Sequence, residues 1–278
     1  MSSAPIPVPR LPFDAFTALG VRALIRADVP VVIDLPPSAK PLDRAGIADR
    51  LGDLSVTLFT EPSERNHPQR WTTREIRLRE FLEDEGYRRD PSTWHRVVSN
   101  IRNSPPDVNA ILGFDAGEFF DYRGYLNAAN LWVSYQGVFT KSHFDELENF
   151  NIALEGRKRL IVAPPGSHQY YPRSIRRGFG DKSQVFDFDE VDERKFPRIL
   201  GKLAQRRELI LEAGQMLYIP LGWWHQAESL DEVNINVNFW LRDPKILRRP
   251  YVLGAALYTE AYRKLKGIYN YQPAETAS

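Results

Sequence analysis

"FTKSHFDELENFNIALEGRKRLIVAPPG", residues 139–166, sets His143 two residues before Asp145 inside a segment that otherwise alternates like the strands of a hairpin. Residues i and i+2 of a strand project from one face, about 6.7 Å apart. His143 and Asp145 can therefore converge on one point while Phe144 turns away. Carried onward, the same parity puts Asn149, Asn151 and Ala153 on the His143 face and Phe150, Ile152 and Leu154 on the other. The next run, "RKRLIVA" (157–163), aims Lys158 the same way as Leu160 and Val162. An ammonium on an inward face is costly unless an anion meets it.

Farther along, "NINVNFW" (234–240) repeats the pattern, with Asn234, Asn236, Asn238 and Trp240 alternating against Ile235, Val237 and Phe239. Short strands of this kind, separated by turn residues, predict a sandwich or barrel; here its interior is polar and its exterior is covered by helices. A third ligand comes from "GQMLYIPLGWWHQAES" (214–229), where Gly214 opens a turn, a short strand follows, and His225 stands behind Trp223 and Trp224. His143, Asp145 and His225 make two imidazoles and one carboxylate. On one face of a six-coordinate metal this set leaves three positions open, as in non-haem Fe(II) oxygenases. A bidentate 2-oxo acid fits two of them and O2 the third, and Lys158 is suited to neutralise the far carboxylate of the acid.

The composition narrows the alternatives. There is no cysteine, which excludes disulfides, thiolate zinc sites, iron–sulfur clusters and a cysteine nucleophile together. Lys plus Arg number 37 and Asp plus Glu 36, so the net charge of +1 offers no bulk attraction to nucleic acid or anionic membrane. No run of 18 apolar residues and no signal-peptide core is present, so the expectation is a cytoplasmic protein without a membrane partner.

The spacing predicts three parts. Residues 1–125 mix helices and strands that support the barrel: a proline-rich arm with Pro5, Pro7 and Pro9, a helix over "FDAFTALGVRALIRADV" (13–29), a strand in "PVVIDLP" (30–36), and an amphipathic helix over "TTREIRLREFLEDEGY" (72–87) capped by Thr72 or Thr73. Residues 126–242 form the barrel. Residues 243–278 are helical, opened by Asp243 and Pro244 and stopped at Gly267, with a frayed last ten residues.

The segments "TKSHFDELENFNIALEGRKRLIVAPP", "GQMLYIPLGWWHQAES" and "INVNFW" resemble the JmjC/cupin-8 branch of the Fe(II)- and 2-oxoglutarate-dependent oxygenases, and within it the asparaginyl hydroxylase of hypoxia-inducible factor. The resemblance is dense over residues 130–241 and looser in "PVVIDLP" and "LREFLED". It implies a mainly β fold with flanking helices: a double-stranded β-helix, or jelly-roll, with N-terminal α/β elements and C-terminal helices. It implies that His143, Asp145 and His225 bind Fe(II), that Thr140 and Lys158 hold the distal carboxylate of 2-oxoglutarate, and that Asn149 and Asn238 line the same pocket. Trp240 matches an aromatic at the pocket wall, and Asn151 stands where the family usually carries an aromatic. The family also uses a tyrosine from an earlier strand, for which Tyr125 and Tyr135 are the candidates.

The activity so implied is hydroxylation of an amino-acid side chain in a peptide or protein, with 2-oxoglutarate and O2 as co-substrates. A free amino acid or small metabolite is the alternative substrate, demethylation uses the same chemistry, and a modified tRNA base is disfavoured by the net charge. A metal-binding cupin without turnover is the reading from another class. Comparable C-terminal helices form dimers in related hydroxylases, so a homodimer is expected.

The remaining candidates have plainer explanations. His67 reads as a loop residue, His95 as a satisfied, partly buried histidine, and His168 as a residue near the barrel mouth. Of Trp223 and Trp224, parity suggests one for packing and one for substrate. The basic run "RSIRRGFGDK" (173–182) reads as a solvated loop, and Asp121, Tyr122 and Arg123 as bordering the opening.

Overall fold

The computed structural model describes residues 5–67, 71–120, 125–174 and 179–265. The N-terminal part runs β1 (Arg10–Leu11), α1 (Phe13–Leu19), α2 (Val21–Ala27), β2 (Val31–Asp34), α3 (Arg44–Leu51), β3 (Ser55–Pro62), β4 (Thr72–Arg77), α4 (Leu78–Glu83), α5 (Gly86–Arg89), β5 (Thr93–Asn100) and α6 (Pro105–Leu112). The barrel strands follow as β6 (Leu126–Tyr135), β7 (Phe139–Phe144), β8 (Glu148–Glu155) and β9 (Lys158–Ala163). After an excursion through β10 (Arg173–Ser174), β11 (Phe179–Ser183) and α7 (Leu200–Leu203) come β12 (Arg207–Leu211), β13 (Gln215–Ile219), β14 (Trp224–Ser229) and β15 (Val233–Leu241). The long helix α8 (Pro250–Leu265) closes the described chain.

Two sheets face each other. One has the order β1-β2-β13-β8-β15-β6-β5-β3-β4, the other β10-β11-β7-β14-β9-β12. The eight strands β6–β9 and β12–β15 switch sheets at every step except β9 to β12, which pair antiparallel within the smaller sheet; this is the order of the double-stranded β-helix. Strands β2 and β5 hydrogen-bond directly to β13 and β6, so the N-terminal strands lengthen the same large sheet across residue 125. The β8–β9 hairpin turns at Gly156 with φ +75°; a Cβ there would stand 2.3 Å from the carbonyl oxygen of Val233. Only glycine meets both demands.

Strand parity holds across the large sheet. Phe150, Ile152, Ile235, Val237 and Phe239 point outward into an apolar core shared with α1–α4 and α6. Aromatic stacking seals it, with Phe120 against Phe239 at 4.2 Å and Phe150 against Tyr218 at 4.7 Å between ring centroids. The opposite face of the same strands lines the barrel. One end of that interior is filled by Val32, Leu160, Val162, Leu211, Leu217 and Trp223.

The C-terminal segment is fastened by charge. Glu148, fully buried, accepts from the Tyr218 hydroxyl at 2.7 Å and the Leu221 amide at 3.0 Å, and its second oxygen lies 2.6 Å from the Lys245 ammonium. Lys245 also reaches Asp28 at 2.8 Å, and Arg249 pairs with Asp28 as well. A strand of the barrel, the end of α2 and the approach to α8 thus meet at one ion network.

Three expectations are corrected. The helix expected over residues 72–87 is strand β4 followed by α4: Ile76 and Leu78 are buried, but the chain is extended through Arg77, and Thr72 and Thr73 lie in the strand rather than at a cap. The helix over residues 13–29 is two helices, broken where Gly20 takes φ +75°. The basic run 173–182 contains β10 and β11 at the edge of the smaller sheet, with Lys182 paired to His143. Gly267 and the last ten residues lie outside the described residues, as do Asp121, Tyr122, Arg123, Arg176 and Arg177.

Candidate metal centre

Strands β7 and β14 are neighbours in register, His143 opposite His225. Both imidazoles point inward, 4.2 Å apart between ring centroids, and Asp145 follows the end of β7. Asp145 Oδ1 lies 4.0 Å from His143 Nε2, and Oδ2 lies 3.7 Å from His225 Nε2. One ligand atom from each of the three side chains falls within a mutual 4.8 Å.

Both imidazoles are held by backbone carbonyls. His143 Nδ1 is 2.8 Å from the Lys141 carbonyl oxygen, and His225 Nδ1 is 3.1 Å from the Trp223 carbonyl oxygen. A carbonyl accepts only, so each Nδ1 carries the proton and each Nε2 offers its lone pair to the common point. Burial, followed by the charges of Lys182 and His225, holds His143 well below the ordinary histidine range. Glu146, just past Asp145, is pushed up to about 7 by burial and by the neighbouring Asp181.

A relay of amides fixes the carboxylate. The Trp132 indole donates to Asn238 Oδ1 at 2.9 Å, Asn238 Nδ2 to Asn149 Oδ1 at 3.5 Å, and Asn149 Nδ2 to Asp145 Oδ2 at 2.7 Å. Asn149 and Asn238 therefore orient the ligand set, a contact that sequence parity could not specify. Asn151 Oδ1, Asn130 Nδ2 and Trp240 Nε1, on the same inner surface, are buried and meet no partner among the described residues.

Thr140 reaches this surface through a β-bulge. It lies three residues before His143, an odd separation that would put it on the other face. In the β7–β14 ladder, however, Thr140 opposes Ala227 while His143 opposes His225, so Lys141 and Ser142 together face Gln226. Ser142 stabilises the bulge by donating its hydroxyl to the Val185 carbonyl, and its amide donates to the Phe186 carbonyl at 3.0 Å. Lys158 enters from β9 and bonds to the Asn236 amide oxygen. Burial, and then the charge of Arg96, lowers its ammonium to about 7.

Neither candidate tyrosine joins Thr140 and Lys158. Tyr135 points outward, stacked on Phe81 at 4.7 Å, and donates its hydroxyl to the Phe81 carbonyl. Tyr125 is 43% exposed, with the Arg22 guanidinium 5.5 Å over its ring. What stands beside Thr140 instead is Arg96 of β5, whose Nη1 donates to Thr140 Oγ1 at 3.2 Å. The signal was present in "TWHRVVSN" (93–100), where an arginine is embedded in a strand, but the pair Val97–Val98 hides the alternation.

The other candidates fall away from the centre. His67 and His168 are exposed, and His95 is held by Thr60 at 3.1 Å. Both tandem tryptophans pack: Trp223 in the apolar end of the barrel, Trp224 outside it between Phe144 and Tyr171. Among the described residues no helix is long and apolar enough to cross a membrane.

A model of the cupin-like domain matches residues 39–245. Among curated relatives, the lysine-specific demethylase JMJ31 of Arabidopsis thaliana is 33% identical over 116 residues, covering 41% of this chain and 21% of that protein. HSPB1-associated protein 1 of Homo sapiens is 34% identical over 118 residues, 41% of this chain and 23% of that one. The tRNA wybutosine-synthesizing protein 5 of Gallus gallus is 34% identical over 179 residues, 61% of this chain and 52% of that one. The matches thus span about half or less of those relatives. With most of the chain inside the family model and the jelly-roll around it, this protein belongs to the cupin-like, JmjC-type family.

Proposed function

We propose that this protein is an Fe(II)- and 2-oxoglutarate-dependent oxygenase that hydroxylates an amino-acid side chain in a peptide or protein. The observation that carries the reading is the convergence of His143, Asp145 and His225 on one inward point, with Thr140 and Lys158 on the same inner surface.

The donor set fits the metal: two neutral imidazoles and one carboxylate hold a divalent ion and leave room for a chelating acid. The surroundings fit the acid, because an inward ammonium that among the described residues bonds to a neutral amide and to no carboxylate calls for an anion. When bound, the iron and the oxo acid supply the oxidising chemistry that inserts an oxygen atom into a C–H bond. The chain does the rest. His143 and His225 present Nε2, Asn149 keeps Asp145 turned toward them, Thr140 and Lys158 bind the distal carboxylate of the acid, and the apolar end of the barrel limits water. No side chain is required as a general base.

Anaerobic titration of the Fe(II)-loaded protein with 2-oxoglutarate should produce the weak visible band of the chelate, and admission of O2 should then yield succinate. Stimulation of that yield by peptides, free amino acids and tRNA would rank the substrate classes. Absence of the band would remove the oxygenase reading in favour of a cupin without turnover. Peptides that never exceed free amino acids or tRNA would remove the substrate assignment.

A further inference from the structure

We propose that Arg96 is a binding residue for the distal carboxylate of the oxo acid, taking the place that the family gives to a tyrosine, and that Glu61 holds it there. The proposal rests on the oxygenase reading and deepens it.

Register fixes the direction of Arg96. In β5 it opposes Ser134 on one side and Phe59 on the other, and Ser134 in turn opposes Asn234 of the inner asparagine row. The side chain is therefore aimed into the barrel, and the residue is only 7% exposed. Its guanidinium spans two strands: Nη1 donates to Thr140 Oγ1 and Nη2 to Glu61 Oε1, each at 3.2 Å. Thr140 thus touches Arg96 and shares the inner surface with Lys158. Register brings the two cations near each other: Arg96 opposes Ser134, the Ser134 and Ser229 hydroxyls lie 2.9 Å apart, and Ser229 opposes Lys158.

Charge balance points the same way. Lys141, 5% exposed, lies 3.9 Å from Glu61 Oε2, so one buried carboxylate serves Arg96 and Lys141 together, while among the described residues Lys158 meets an amide oxygen and no carboxylate. Arg96 and Lys158, both aimed inward, thus have a single carboxylate between them, and a second carboxylate beside Thr140 would balance the pair. The fork of a guanidinium donates two parallel bonds to a carboxylate, which a tyrosine hydroxyl cannot do. A dicarboxylate is then selected over a monocarboxylate by two cations rather than one.

The test compares two acids with identical chelating ends. 2-Oxoglutarate carries the distal carboxylate, and 2-oxopentanoate has a methyl group in its place. Calorimetric titration of the Fe(II)-loaded full chain without O2 gives both affinities. In the unaltered protein 2-oxoglutarate should bind far more tightly. In R96Q the 2-oxoglutarate affinity should fall by about tenfold or more, as expected for a lost charge-assisted bond, with 2-oxopentanoate unchanged and part of the loss restored in R96K. Should R96Q fail to fold because Glu61 is left unpaired, the double variant E61Q/R96Q removes both charges and should show the same selective loss. Equal weakening of both acids, or no weakening of either, would make Arg96 a clamp between strands and overturn the proposal. An unaltered protein that binds neither acid would overturn the oxygenase reading itself.

Discussion

The two faces of the large sheet are built from the same strands and are both buried, yet they are satisfied in opposite ways. On β15 the outward residues Ile235, Val237 and Phe239 are 0–1% exposed and close against aromatic neighbours; the inward Asn234, Asn236 and Asn238 are 0–3% exposed and face the barrel. The outer face is complete within the chain. The inner face is not: its amides form a relay that ends on Asp145, and several of its polar atoms meet no partner among the described residues. Burial by itself therefore does not separate core from site here. What separates them is whether the chain satisfies its own buried groups, since an unmet polar atom is expensive wherever no ligand or water answers it.

That contrast can be broken at its strongest point first. D145A removes the only carboxylate of the ligand set and should reduce metal-dependent turnover to background while the melting transition of the metal-free protein moves little; retained turnover would dissolve the distinction between the faces. On the outer side, F239A should cost about 3–5 kcal/mol of stability in denaturant unfolding, because a buried ring stacked on Phe120 leaves a cavity. Among the molecules that remain folded, metal affinity should be unchanged.

The relay predicts an intermediate effect. N149A should weaken metal binding about 10–100-fold, the usual consequence of losing a residue that orients a ligand, with little change in unfolding free energy. A loss confined to stability would return Asn149 to the structural face. The smallest effect is on pH. Lys158 is lowered to about 7, so in the ligand-free protein it sheds its proton above that value, and an anionic acid binds the charged form. Affinity for 2-oxoglutarate should therefore fall by up to about tenfold per pH unit above 7. K158R, which stays charged, should flatten the profile. Folding carries the matching sign: from about 7 to the ordinary lysine value of 10.5 the unfolded chain holds the extra proton, so ligand-free stability gains from this group as pH rises across that window.

The barrel and the His143–Asp145–His225 cluster are legible because a period of two survives wherever one face of a strand is apolar and the other carries His, Asp or Asn. The edge strand β4 has no such signature: Ile76 is its one buried residue, and with Leu78, Phe81 and Leu82 just beyond it the spacing imitates a helix. Thr140 was assigned by resemblance and not by parity, since only the bulge at Lys141 and Ser142 returns it to the His143 face. Arg96 was missed for a different reason. The resemblance points to a tyrosine where the geometry supplies a guanidinium, and both tyrosines turn away to satisfy their hydroxyls or rings elsewhere. Lys182 was hidden in a glycine-containing basic run that proves to be an edge strand beside His143.

The ion network around Glu148 bears on what a shortened chain would do. A fragment ending at residue 242 would retain every strand of both sheets and all three ligand side chains. It would nevertheless strip Lys245 from a carboxylate that is fully enclosed, and an unpaired buried charge costs roughly 3–5 kcal/mol. The damage would surface one residue from Asn149, whose amide steers Asp145. Trimming the tail for crystallisation or display would thus register first as a loss of metal, in a fragment whose barrel sequence is untouched.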